Sequence, residues 1–183
     1  GRYTAVATPE TLTLWDAHAP DVPVRWSSAH TGDALAVRVE DDGSAVAVRS
    51  TGWRQQGTAA GSVEETRLIA LDGPDVLAAA TLGEETTVAA TAAGRIFWLD
   101  EDGARSLAPE GALRGAFAIV LDEASERVAV ATPEQFALIG ASDEPALLAH
   151  RSSIGGLYVA DAAFLPDGGV LALTSAGEVL EVL

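Results

Sequence analysis

The chain has no cysteine, methionine, lysine or asparagine among its 183 residues. Without cysteine, neither a disulfide framework nor a thiolate zinc site is available. Without lysine, all eleven basic residues are arginine. Lysine and asparagine codons are AT-rich, so their joint absence points to a GC-rich bacterial gene. The missing methionine and the first residue, Gly1, imply a removed start codon or an excised piece. No apolar run reaches the roughly eighteen residues of a membrane-spanning helix. The N-terminal residues lack the basic and apolar regions of a secretion signal. The cytoplasm is therefore the default compartment. Positive charge is also scarce: eleven arginines face 27 acids, for a net charge of −16. Binding a polyanion requires cations that displace its counterions. This balance argues against nucleic acid and anionic membrane surfaces as partners.

What is present is a core-forming fraction and a repeat. Apolar residues make up 48% of the chain, mostly Ala, Val and Leu. The word AVATPE occurs at 5–10 and again at 129–134. Sliding the chain against itself aligns five related segments: YTAVAT (3–8), SAVAVR (44–49), TVAATA (87–92), RVAVAT (127–132) and VLALTS (170–175). Anchored on Thr8, Arg49, Thr91, Thr132 and Thr174, the intervals are 41, 42, 41 and 42 residues. The twin words stand three repeats apart. Each segment is followed by a turn signal and a second run, such as TLTLWD (11–16), RIFWLD (95–100) or FALIG (136–140). A third run follows, for example PVRWSS (23–28) or TRLIAL (66–71), and a fourth precedes the next copy. Runs this short, separated by turn residues, have the pattern of strands. None has the length or spacing of an amphipathic helix. Four strands in a period of about forty residues is the signature of a β-propeller blade.

The tail HRSSIGGLYVADAAFLPDGGVLALTSAGEVLEVL (150–183) resembles a WD-repeat blade. AHR (149–151) stands where that family has Gly-His, and LPDG (165–168) stands for its Ser-Pro-Asp-Gly turn. LWD (14–16) and WLD (98–100) are similar to its Trp-Asp ending, and AHTGD (29–33) supplies the histidine again. The resemblance implies a non-catalytic protein-interaction platform. It also implies structural roles for His30, His150 and Thr174, with His150 and Thr174 matching two members of the family's His–Ser/Thr–Asp–Trp tetrad. No copy carries all four, so the repeat is degenerate and another propeller family stays open.

The expected fold is an all-β propeller of four to five four-stranded antiparallel blades, within a larger seven- or eight-bladed ring. The boundaries are an incomplete first blade (1–32), blades at 33–74, 75–114 and 115–157, and an incomplete last blade (158–183). On an inner-to-outer count the chain begins on a second strand and ends on a third, giving eighteen strands. Leu183 reads as the end of a ring and Gly1 does not read as its beginning. A self-closed five-bladed ring and an open array pairing with a second copy are the alternatives. Unclosed ends would expose strand edges and apolar blade faces, inviting a homodimer or a complementary chain that completes the propeller.

No GxSxG elbow and no Gly-Lys-Ser/Thr phosphate loop is present. The histidines show no spacing suited to a metal, and no cofactor is expected. Two features point to binding a protein. STGWRQQG (50–57) puts Trp53, Arg54, Gln55 and Gln56 where other copies are apolar, and Trp and Arg are favoured interface anchors. Packing of Trp53 between blades is the competing reading. The second feature is charge. Turns between first and second strands, and between third and fourth, open on one propeller face. Sorting the acids this way places eighteen of 27 there, with no arginine in those turns. They include Asp41, Asp42, Glu84, Glu85, Asp100, Glu101 and Asp102. A basic protein partner would suit such a face, while solubilising turn acids are the plain alternative. A lactonase-like or quinoprotein-like enzyme would need carboxylates on inner strands, where only Asp161 and Arg38 carry charge. A purely structural segment completing another chain's ring is the remaining reading.

Overall fold

The computed structural model describes all residues except 20, 22–23, 69–75, 83–84, 123–125, 143–144, 153–158 and 182–183, and only the backbone of 149–152. It contains eighteen strands in five antiparallel sheets, with no helix among the described residues. The first sheet holds β1 (Tyr3–Ala7), β2 (Thr11–Asp16) and β3 (Val24–Ala29). The second holds β4 (Ala34–Val39), β5 (Ala45–Arg49), β6 (Trp53–Gly57) and β7 (Val63–Arg67). The third holds β8 (Val76–Leu82), β9 (Thr86–Thr91), β10 (Ile96–Asp100) and β11 (Gly103–Ala108). The fourth holds β12 (Ala118–Asp122), β13 (Arg127–Ala131), β14 (Gln135–Gly140) and β15 (Ala146–Ser152). The fifth holds β16 (Val159–Phe164), β17 (Val170–Thr174) and β18 (Val179–Glu181).

Every strand pairs with its neighbour in sequence, so each sheet is a meander. The sheets stack in chain order through their first strands: β1 on β4, β4 on β8, β8 on β12 and β12 on β16. This is the blade arrangement of a propeller. A lone meander hides neither face, and stacking is what buries both. Alternation along each strand divides its residues between two neighbours. Ala89 and Phe97 of the third sheet pack with Val48 and Leu68 of the second. Val88, Ala90, Ile96 and Trp98 of the same sheet pack with Val128, Val130 and Ile139 of the fourth. Phe136 and Leu138 close the next interface against Val170. Small residues on β5, β9 and β13 let sheets approach near the axis, and larger ones on β10 and β14 fill the widening wedge.

The repeated threonine ends the second strand of its blade and caps the turn behind it. Thr8 Oγ1 accepts from the amides of Glu10 (3.2 Å) and Thr11 (3.0 Å). Thr132 Oγ1 does the same for Glu134 (3.2 Å) and Gln135 (3.0 Å). Side-chain acceptors of this kind fix tight turns, so the two AVATPE words are one strand-and-turn device used twice. Thr91 accepts from the Arg95 amide at 3.3 Å, and Thr174 from the Glu178 amide at 3.1 Å. The fifth position of this column is Arg49, which does something else.

One expected boundary is wrong. The apolar run TRLIAL suggests a strand from 66, but β7 spans Val63–Arg67. The β6–β7 turn closes early because Gly61 takes a φ of +94° and the amide of Thr58 donates to the Ser62 carbonyl at 2.9 Å. Glu64 and Glu65 consequently sit on a strand, opposite Gln56 and Gln55, and leave the set of turn acids.

Candidate functional site

Because the meanders alternate direction, the β2–β3, β4–β5, β8–β9, β10–β11, β12–β13 and β16–β17 turns open on one side of the stack. Among the described residues, the turns on this side expose eight carboxylates: Asp21, Asp41, Asp42, Glu85, Glu101, Asp102, Glu126 and Asp167. No arginine lies in these turns. The opposite side exposes Glu10, Asp33, Glu110, Glu134 and Glu178, together with Arg114. Its Glu110 is paired with Arg95 at 2.5 Å.

The asymmetry is thus real but smaller than the sequence sorting suggests, and three particulars explain why. Glu64 and Glu65 are strand residues. Asp16 is fully buried. Asp122 is tied to Arg127 at 2.7 Å and Glu40 to Arg38 at 2.5 Å. Arg38 is therefore engaged with a carboxylate, and Asp161 is exposed on β16. Two of the acids have structural work as well. Asp42 accepts from the amide and hydroxyl of Ser44, both at 2.8 Å, which holds its carboxyl below the usual range. Asp100 is half-buried, accepting from Trp98 Nε1 at 2.8 Å and from the Asp102 amide at 3.1 Å. Glu84 lies outside the described residues.

The WRQQ strand is β6, flanked by β5 and β7 and packed on both faces. Trp53, Gln55 and Gly57 point toward the first sheet. Trp53 is half-buried and meets the His30 ring edge-on, with centroids 5.7 Å apart. Gln55 is fully buried; its amide nitrogen donates to Ser28 at 3.3 Å and to Glu65 at 3.0 Å. Its oxygen receives Arg49 Nε at 3.1 Å and Nη2 at 3.0 Å. Nη1 of Arg49 donates to the carbonyls of Thr8 and Gly32. His30 Nδ1 lies 3.3 Å from Glu65. Arg54 and Gln56 are half-buried on the other face, toward the third sheet. There Arg54 and Arg67 line a cleft of about 320 Å³ together with Glu85, Thr87, Leu99 and Asp100.

The polarity of this strand therefore serves a buried network joining sheets one and two. Of the four residues of the run, Gln55 and Trp53 face this network while Arg54 and Gln56 face away, and its hub, Arg49, lies outside the run. The signal for that hub was its presence in a column of threonines. His30 bridges neighbouring sheets, and Thr174 caps its turn. The backbone of His150 pairs with Ala137, and its side chain lies outside the described residues.

Asp16, at the end of β2, ties together residues of its own sheet. Its carboxylate accepts from Arg2 at 2.9 Å and Arg25 at 2.5 Å, and from the amide of His18 at 2.9 Å. The Arg2 bonds, then those of Arg25, hold its carboxyl far below the ordinary 3.8, against the cost of burial. A depressed carboxyl stabilises the fold above its unfolded value, and that contribution disappears as pH falls toward the folded one. Asp16→Asn is therefore expected to lower the melting temperature at pH 7. The gap to the parent should narrow steadily below about pH 4, as thermal melts across pH 2–7 would reveal. A gap independent of pH would show that the charge is not what matters.

No family model matches the chain, and no curated protein matches it. Solved structures do. The computationally designed Ika8 protein superposes with a TM-score of 0.74 at 14% identity, over 100% of this chain and 55% of that one. The WD40 β-propeller domain of Doa1 gives 0.73 at 9% identity, over 98% and 60%. The C-terminal WD40 domain of Sif2 gives 0.71 at 13% identity, over 97% and 53%. The likeness shows the fold: a WD-repeat-like β-propeller arrangement. The chain spans between half and two thirds of the length of these structures.

Proposed function

We propose that the chain is a non-catalytic protein-interaction platform that docks a basic partner on its acidic turn face. The observation that carries this reading is the set of eight exposed carboxylates on one side, with no arginine among those turns. Potentials of one sign over a whole face steer oppositely charged partners and weaken with salt. The blades hold the turns at fixed spacing, so the charges form a preorganised surface. The WD40 likeness agrees with such a role, although a fold alone assigns none.

An octa-arginine peptide is a suitable probe, followed by fluorescence anisotropy. Binding is expected to weaken at least about tenfold between low and high salt. Neutralising Asp41, Asp42, Glu85, Glu101 and Asp102 together should weaken it by a similar factor. Neutralising Glu10, Asp33 and Glu134 on the opposite side should change it little. Equal losses from the two sets, or indifference to salt, would dismiss the reading.

A further inference from the structure

The interface between the second and third sheets departs from the repeat on both of its walls. Arg54 stands opposite Val48, the residue before Arg49 in the capping column. The matching positions in the third and fourth sheets, opposite Ala90 and Ala131, are the buried Ile96 and Phe136. Across the interface stands Thr87, where the second and fourth sheets carry buried Ala45 and Val128. A guanidinium and a hydroxyl thus replace apolar groups on two facing surfaces. Both line the cleft of about 320 Å³ between these sheets.

Register builds the walls. Thr66 pairs with Arg54, and Leu68 lies two residues further on, within the core shared with the third sheet. On the other wall Leu99 pairs with Thr87 on one side and with Ala104 on the other, forming one row that faces the second sheet. Nε and Nη2 of Arg54 are buried. Thr87 is 1% exposed, and its buried Oγ1 has no hydrogen-bond partner among the described residues. A buried hydroxyl left without a partner costs free energy. A ligand that meets it recovers that cost.

We propose that this cleft binds a small carboxylic acid with a short apolar tail. The carboxylate accepts from Arg54 and from the Thr87 hydroxyl, since a guanidinium matches the planar geometry of that group. The tail lies on Leu68, Leu99 and Ala104. The volume is that of about ten waters, which suits a ligand of about that many heavy atoms. Two acids in the lining narrow the class. Asp100 already accepts from Trp98 Nε1 and from the Asp102 amide. Glu85 is exposed at the rim, where it repels a dianion more strongly than a monoanion. The site lies between blades, and the inference does not depend on a basic partner for the acidic turn face.

Titration of hexanoate into the isotopically labelled protein, followed through amide shifts, tests the proposal. Saturating shifts are expected at Thr66, Leu68, Thr87, Leu99 and Ala104, with a Kd of about 1 mM or tighter. Affinity should fall about fourfold for each methylene removed from the acid. Hexanol lacks the charge and inorganic phosphate lacks the tail, so each should bind at least about tenfold more weakly. Thr87→Val keeps the branched shape and removes the hydroxyl. It should weaken hexanoate about tenfold while the melting temperature of the free protein holds or rises. A threonine with a purely structural role would not give that combination. Arg54→Met should weaken binding by at least as much, and Thr87→Val decides alone should the arginine variant fold poorly. The proposal is overturned by an absence of saturating shifts at these amides, by phosphate binding as tightly as hexanoate, or by unchanged affinity in Thr87→Val.

Discussion

Arg49→Ala is expected to lower the unfolding free energy by about 3 kcal/mol or more, seen as a shift in the urea midpoint without a change in slope. Arg49 is the largest fully buried side chain among the described residues. Burial lowers its affinity for the proton, and the nearby charge of Glu65 offsets part of that effect. It donates to Gln55 and to the carbonyls of Thr8 and Gly32, joining sheet two to the ends of two strands in sheet one. Alanine would leave one buried acceptor, Gln55 Oε1, and two part-buried carbonyls without their donor, the buried one costing about 1–3 kcal/mol and the cavity left by the side chain adding to it. Threonine, the residue other repeats carry here, should fare little better. Its hydroxyl could cap the local turn but could not reach the neighbouring sheet. A loss below about 1 kcal/mol would mean that water replaces the guanidinium at no great cost.

The second large effect is expected at Gly57. A Cβ at this position would lie 2.1 Å from Trp26 Cζ2 and 2.5 Å from Cη2, where no carbon can sit. The backbone cannot retreat, because Gly57 pairs with Ala45 on one side and Val63 on the other. Trp26 is itself buried among Leu12, Leu14, Ala45 and Ala47. Gly57→Ala should therefore cost about 3 kcal/mol, the upper end for overpacking, or roughly 6–12 °C in melting temperature for a chain of this size. Pairing it with Trp26→Leu should return part of that loss, since the smaller side chain clears the space. Additive losses in the double-mutant cycle would place the damage elsewhere.

These two sites mark the border between what the sequence discloses and what it conceals. Strand existence was legible because each run is short, apolar in alternation and bounded by Gly, Asp or Pro-Glu turns. The column of threonines gave the blade register, and with it the eighteen strands. Glu64 and Glu65 were misplaced because the apolar TRLIAL run outweighs the turn at Thr58–Ser62, whose signal is a single glycine. Arg49 and Gly57 were invisible as hubs for another reason. Their partners lie on an adjacent sheet, and local patterning encodes contacts along a strand but not across a stack. Trp53 and Gln55 looked like surface anchors for the same reason. The acidic face was legible because turn order alone decides which side each loop takes.

The meander order has a consequence for how the protein reaches this state. Every ladder joins strands that are consecutive in the chain, separated by no more than a short connection. Loop-closure entropy is therefore small at each step, and contacts of this local kind favour rapid formation. Each hairpin can assemble as soon as its two strands have left the ribosome, and a finished sheet offers the next a ready surface. The architecture grows by accretion, without waiting for its far end.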